Sequence, residues 1–114
     1  MQSDPISRTL SALADPTRRA ILARLSTGEA NVNELAEPFD ISLQAVSRHI
    51  KVLEDAGLIS RRREAQSRLC RLEPDKLQAV DGWLERYRPF WKGSFDRMDK
   101  VLKATAKRKK ADDR

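Results

Sequence analysis

The sequence holds one cysteine and one histidine in 114 residues. A single thiol makes neither an intrachain disulfide nor a cysteine-only metal site. Four glycines and five prolines exclude collagen-like and Pro/Gly-rich disordered chains. No run of eighteen apolar residues is present, which excludes a membrane-spanning helix of ordinary length. Residues 1–16 lack the basic segment followed by an apolar run that marks a secretory signal. These absences together predict a cytoplasmic protein with no membrane partner. Also missing are a phosphate-binding loop, a nucleophile–histidine pair and a metal-ligand set, so neither an enzyme nor a cofactor is expected.

Charge is abundant: 35% of residues are charged and 39% apolar. Leu, Ile, Val and Phe number 26, about 23%, just above the roughly 20% below which charged chains stay disordered. The chain can fold, but a lone copy would have a thin core, which points to self-association. The net charge of +6 is uneven: −2 over residues 1–41, +3 over 42–73, zero over 74–96 and +5 over 97–114. A basic segment inside a folded unit suits a polyanion such as nucleic acid. One domain is expected over residues 1–105, followed by a basic tail, 106–114, ending in KRKKADDR.

Capping signals divide the domain into helices. Asp4-Pro5 and Asp15-Pro16 each place an N-cap before a proline suited to a first helical turn, giving helices over 5–13 and 16–26. Ile6, Leu10 and Leu13 share one face of the first. Ile21, Leu22 and Leu25 face inward on the second, leaving Arg18, Arg19 and Arg24 solvated. Asn33 is the expected cap of a short helix containing Leu35, Ala36 and Phe39. After the tight connection Asp40-Ile41-Ser42, Ser42 caps a helix over 43–56 that stops at Gly57. Leu43, Val46, Ile50 and Leu53 form its inward stripe. The arginine-rich stretch 58–73 has no helical period and reads as two strands, 58–64 and 67–73, turning at Ala65-Gln66.

Pro74 opens a last helix, 75–105. Leu77, Val80, Trp83, Leu84, Tyr87, Phe90, Trp91, Phe95, Met98, Val101 and Leu102 fall within roughly 140° of its circumference. The stripe keeps phase across Pro89, so one kinked helix is expected. Its length of about 45 Å exceeds what the small body can cover, which favours burial against a second copy.

Helix, short helix, tight turn, capped helix and arginine-rich hairpin make up a winged helix-turn-helix: mainly α, five helices and a two-stranded wing. A capped helix fits the major groove, where base edges carry a readable code, and an arginine hairpin follows the backbone. Gln44, Arg48 and Lys51, flanked by Ala45 and Ser47, oppose the apolar stripe. Gln pairs with adenine and Arg with guanine, while Lys51 lies further along toward phosphate. A protein-interaction module using this fold as scaffold is the rival, but it has no need of that face. RNA binding is disfavoured because the hairpin holds no Tyr or Phe for base stacking.

ALADPTRRAILARL (Ala12 to Leu25) and NELAEPFDISLQAVSRHIKVLEDAGLI (Asn33 to Ile59) resemble the ArsR/SmtB-type winged-helix repressors of bacteria. The resemblance, over about residues 10–100, implies a homodimeric repressor on operator DNA, dimerised through its first and last helices. Ile6, Leu10, Leu13, Leu77, Val80, Trp83, Leu84, Tyr87, Trp91 and Phe95 are then the expected interface. It carries over Ser42, Gln44, Ser47, Arg48 and His49 as the groove-facing set. His49 lies at the edge of that face, where it either meets phosphate or packs. Relatives carry Gly-Arg at the wing tip, where this chain has Ala65-Gln66, which shifts the wing's role to Arg61, Arg62, Arg63 and Arg68. The cysteine pairs or Asp/His sets of the family's metal sensors are absent, which implies the metal-independent branch. Cys70 is expected to be a buried small residue. Nothing in the sequence identifies an inducer.

Overall fold

The computed structural model describes residues 4–91. They fall into two compact units, one ending at Val80 and one beginning at Asp81. The elements are α1 (Pro5–Leu13), α2 (Pro16–Leu25), β1 (Ala30–Asn31), α3 (Val32–Ala36), α4 (Leu43–Asp55), β2 (Ile59–Glu64), β3 (Ser67–Leu72) and α5 (Asp75–Leu84), then a 3₁₀ turn over Glu85–Phe90.

Caps set most boundaries, as the sequence indicates. Asp4 accepts from the Ser7 amide at 2.8 Å and Asp15 from the Arg18 amide at 3.0 Å, each filling an orphan donor of a first turn. The α4 terminus is closed by Gly57 at φ +79°. The Gly57 amide donates to the Glu54 carbonyl and the Leu58 amide to the Leu53 carbonyl, a Schellman pair that turns the chain into β2.

Three boundaries differ from expectation. The cap of α3 is Asn31, not Asn33. Its side chain accepts from the Glu34 amide at 2.8 Å while Glu34 accepts from the Asn31 amide at 3.0 Å, a reciprocal capping box. The hairpin gains a third strand, because Ala30 and Asn31 pair with Cys70 and Leu69 of β3, giving the antiparallel order β1-β3-β2. Two residues are too few to show a period in sequence. Finally, α5 ends at Leu84 and Glu85–Phe90 tightens into 3₁₀. Pro89 has no amide and crowds the carbonyl four residues back, which disfavours regular α-helix over this turn. Phe95, Met98, Val101 and Leu102, the expected helix beyond 91 and the 106–114 tail lie outside the described residues.

The core of the first unit gathers one face of each element: Ile21, Leu22 and Leu25 of α2, Leu35 of α3, Val46, Ile50 and Leu53 of α4, and Leu58, Ile59 and Cys70 from the sheet. The α1 side that enters it is Thr9 and Ala12, with the Thr9 hydroxyl donating to the Pro5 carbonyl at 2.9 Å. Among the described residues no helix is long and apolar enough to cross a membrane.

Candidate nucleic-acid interface

Burial of Val46, Ile50 and Leu53 rotates α4 so that its other side faces outward. The Ser42 hydroxyl accepts from the Ala45 amide at 3.1 Å, fixing the first turn. Gln44 and Arg48 are exposed, and neither has an ion pair or hydrogen-bonding side-chain partner among the described residues. Ala45 and Ser47 are half-buried beside them. Leu43 departs from its expected inward position. It is 50% exposed, because the body that covers α4 begins one turn later at Val46. Lys51 is held along its own helix, its Nζ 3.1 Å from Asp55 Oδ1 and 3.9 Å from Glu54 Oε1.

His49 belongs to a different cluster. Its Nδ1 lies 3.3 Å from Arg18 Nη1 and 3.9 Å from Asp15 Oδ2, at the junction of α1 and α2. Of the two readings left by the sequence, packing has the geometry behind it. Arg18 is not the solvated residue expected: Nε donates to the Ala12 carbonyl at 2.6 Å and Nη2 to the Ser11 carbonyl at 3.1 Å. Arg19 likewise donates to the Leu13 carbonyl at 2.7 Å. The two guanidiniums satisfy the last carbonyls of α1, where a positive charge also suits the helix dipole. The hydrogen bond donated by the Arg18 backbone amide holds the Asp15 carboxyl below its usual range.

The wing pairs Arg61 with Cys70, Arg62 with Leu69, Arg63 with Arg68 and Glu64 with Ser67. Its tip needs a left-handed residue, and Ala65 supplies it at φ +55°, a conformation that costs a non-glycine about 1–2 kcal/mol. The wing arginines have separate fates. Arg61 is half-buried with Nε 3.5 Å from Glu54 Oε2, tying β2 to the end of α4; among the described residues this Nε has no hydrogen-bond partner. Arg62 is clasped by Glu29 at 2.7 Å and Glu64 at 2.9 Å, and the Glu29 hydrogen bond raises its pKa further above the ordinary arginine value. Arg63 and Arg68 are exposed and face each other with no ion pair among the described residues. The expected quartet thus divides into two tethered arginines and two free ones. Glu29 was not legible as a partner, since it lies 33 residues from Arg62.

Cys70 is fully buried, and that burial pushes its thiol pKa up. Among the described residues no three His, Cys, Asp or Glu side chains cluster as a metal site would require.

Two further apolar sets are exposed. On α1, Leu10 is 39% exposed and Ile6 half-buried, whereas Leu13 packs on the core, as does Leu77 of α5. Val80 is half-buried. In the second unit, Trp83 and Tyr87 meet edge to face at 5.8 Å, both remaining exposed, and Phe90 is 85% exposed. Leu84 and Trp91 are half-buried.

Residues 13–62 match a family described as a helix-turn-helix domain. The chain is 44% identical over 80 residues to the HTH-type transcriptional regulator Rv2034 of Mycobacterium tuberculosis, covering 70% of this chain and 75% of the relative. It is 34% identical over 79 residues to the transcriptional repressor SdpR of Bacillus subtilis, covering 69% and 88%. The crystal structure of an ArsR family transcriptional regulator superposes with a TM-score of 0.72 at 43% identity, covering 78% of this chain and 98% of the other.

Proposed function

The chain belongs to the ArsR family of winged helix-turn-helix transcriptional regulators, and from that premise we propose that it is a homodimeric repressor that reads an inverted-repeat operator without sensing a metal. One observation carries the reading. Gln44 and Arg48 stand one turn apart on the outward face of a capped helix, unengaged within the described structure, and the wing adds Arg63 and Arg68, also unpaired there. A face built for solvent alone gains nothing from that arrangement, whereas a major groove offers the acceptors and donors those side chains fit.

Each protomer lays α4 in a major groove, with Gln44 and Arg48 on base edges and Arg63 and Arg68 on phosphate. Ser42 and Ser47 border the same surface, Lys51 lies toward backbone, and Arg61 and His49 brace the helix from behind. A second copy covers Leu10 of α1 and the Trp83, Tyr87 and Phe90 side chains. Exposure of these large apolar residues supports self-association, as does the family resemblance. Repression follows from occupying the operator, in keeping with the relative named a repressor.

Selection of bound sites from random duplex DNA tests the reading. The expected product is an inverted repeat with half-site centres about 10 base pairs apart. Arg48→Ala is expected to cost about 1–3 kcal/mol per half-site and to relax one position. Affinity is expected to stay constant with zinc, nickel, cadmium or chelator. Selection without any sequence preference overturns the proposal, and a metal-dependent affinity reversed by chelation overturns its metal-independent part.

A further inference from the structure

Arg18 commits all three of its guanidinium nitrogens to other elements. Nε donates to the Ala12 carbonyl at 2.6 Å and Nη2 to the Ser11 carbonyl at 3.1 Å, both at the end of α1, while Nη1 lies 3.3 Å from His49 Nδ1 on α4. A guanidinium has no acceptor, so Nδ1 accepts and the ring proton belongs on Nε2. Asp15 Oδ2, which takes the Arg18 amide at 3.0 Å, lies 3.9 Å from the same Nδ1. Capping α1 does not require the contact to His49. Arg19, the next residue, donates to the Leu13 carbonyl at 2.7 Å and, among the described residues, makes no hydrogen bond or ion pair to α4.

What the contact adds is a fixed angle for the outward-facing helix. Val46, Ile50 and Leu53 hold α4 against the body, but apolar burial is non-directional, whereas a hydrogen bond sets direction as well as distance. Among the described residues, the other side-chain ties between α4 and distant segments lie at its far end, where Arg8 Nη2 donates to the Asp55 carbonyl at 3.0 Å and Arg61 sits beside Glu54. His49 directly follows Arg48. We propose that Arg18 is a positioning residue for base reading: through His49 it sets the rotation of α4, and so where Arg48 meets the groove, from the end of α1. This rests on the DNA-reading function above. Arg18 itself touches no base.

The test uses the full-length protein, the site selected from random duplex DNA, and random duplex itself. Loss of folding lowers both affinities together. Loss of helix position lowers the selected site alone, because Arg63 and Arg68 still hold phosphate. His49→Leu removes the acceptor and is expected to lose about tenfold on the selected site, within the range of one base contact, and less than about twofold on random duplex. His49→Asn keeps an acceptor bonded to Cγ, where Nδ1 is in histidine, and is expected to restore most of the discrimination. Arg18→Ala is expected to match His49→Leu, and the double variant to lose no more than either single, since all three remove one contact. Arg19→Ala is expected to keep the wild-type ratio of the two affinities. Circular dichroism checks folding. Both His49 variants leave the α1 bonds of Arg18 in place, so their comparison stands even where Arg18→Ala does not fold. If His49→Leu weakens selected and random DNA alike, His49 meets phosphate and the positioning role is overturned. Additive losses in the double variant, or His49→Asn no better than His49→Leu, overturn it as well. Selection that yields no preferred sequence overturns the DNA-reading function itself.

Discussion

Arg63→Ala isolates the electrostatic part of the wing. Of the five wing arginines, Arg61 is committed to Glu54, Arg62 to Glu29 and Glu64, and Arg71 to Glu73 at 3.6 Å. Arg63 and Arg68 carry the charge available to phosphate. Each phosphate contact contributes about 0.9 to the slope of log affinity against log salt, so the substitution in both protomers should flatten that slope by about 1.8. Between 50 and 200 mM salt, a fourfold change, the variant should lose about tenfold less affinity than the wild type. Fluorescence anisotropy on the selected site and on random duplex measures both slopes, and both should flatten alike. Arg63→Lys should restore the slope because it restores the charge. Glu29→Gln should steepen it, since Arg62 then has one carboxylate holding it instead of two. A slope unchanged by Arg63→Ala refutes the reasoning. If one base preference disappears at the same time, the wing reads sequence.

Phe90→Asp adds a charge where the free subunit is 85% exposed, so the helical signal should be kept while sedimentation shifts from dimer to monomer; a dimer that persists at micromolar concentration contradicts the proposed interface. Asp15, with its carboxyl pKa lowered from 3.8, stabilises the fold above that value, and its contribution is lost as pH falls through the lowered native value. Asp15→Asn should therefore lose less stability than the wild type on acid titration from about pH 5 to pH 2, and an identical acid profile would show that Asp15 does not contribute. Cys70 should react with a thiol reagent only as fast as the protein opens, because its sulfur is buried and its pKa raised; fast labelling of the native protein would refute that.

What was legible in the sequence was local. The caps at Asp4, Asp15 and Ser42, the stop at Gly57 and the turn at Ala65-Gln66 each depend on residues within a few positions, and all stand where expected. Gln44 and Arg48 followed from the same helical arithmetic. The misplaced cap at Asn33 had a visible alternative, since Asn31 and Glu34 have capping-box spacing. Leu43 shows where period fails: a stripe says which residues could be buried, while the length of the neighbouring body says how many are. Arg18, Glu29 and the β1 pairing depend on contacts between distant segments, which no local window contains. The mixed roles of the wing arginines were hidden for that same reason, because composition counts charges but not the carboxylates that fold back onto them.

Asn31 occupies three structures at once. Its backbone lies in the ladder opposite Leu69, its side chain seats the first turn of α3, and its own amide is taken by Glu34. The strand that anchors the wing and the helix that supports α4 are therefore hinged on one residue, and neither can fray while the other stays closed. In hydrogen-exchange terms, the amides of α3 and the inner part of β3 are expected to open together although they are more than thirty residues apart in the chain. That pairing joins the Arg18–His49 and Arg62–Glu29 contacts among those that link distant segments of the chain. Contacts of such sequence separation are the slow ones to form, so the pairing of β3 with Ala30 and Asn31 is expected late in folding.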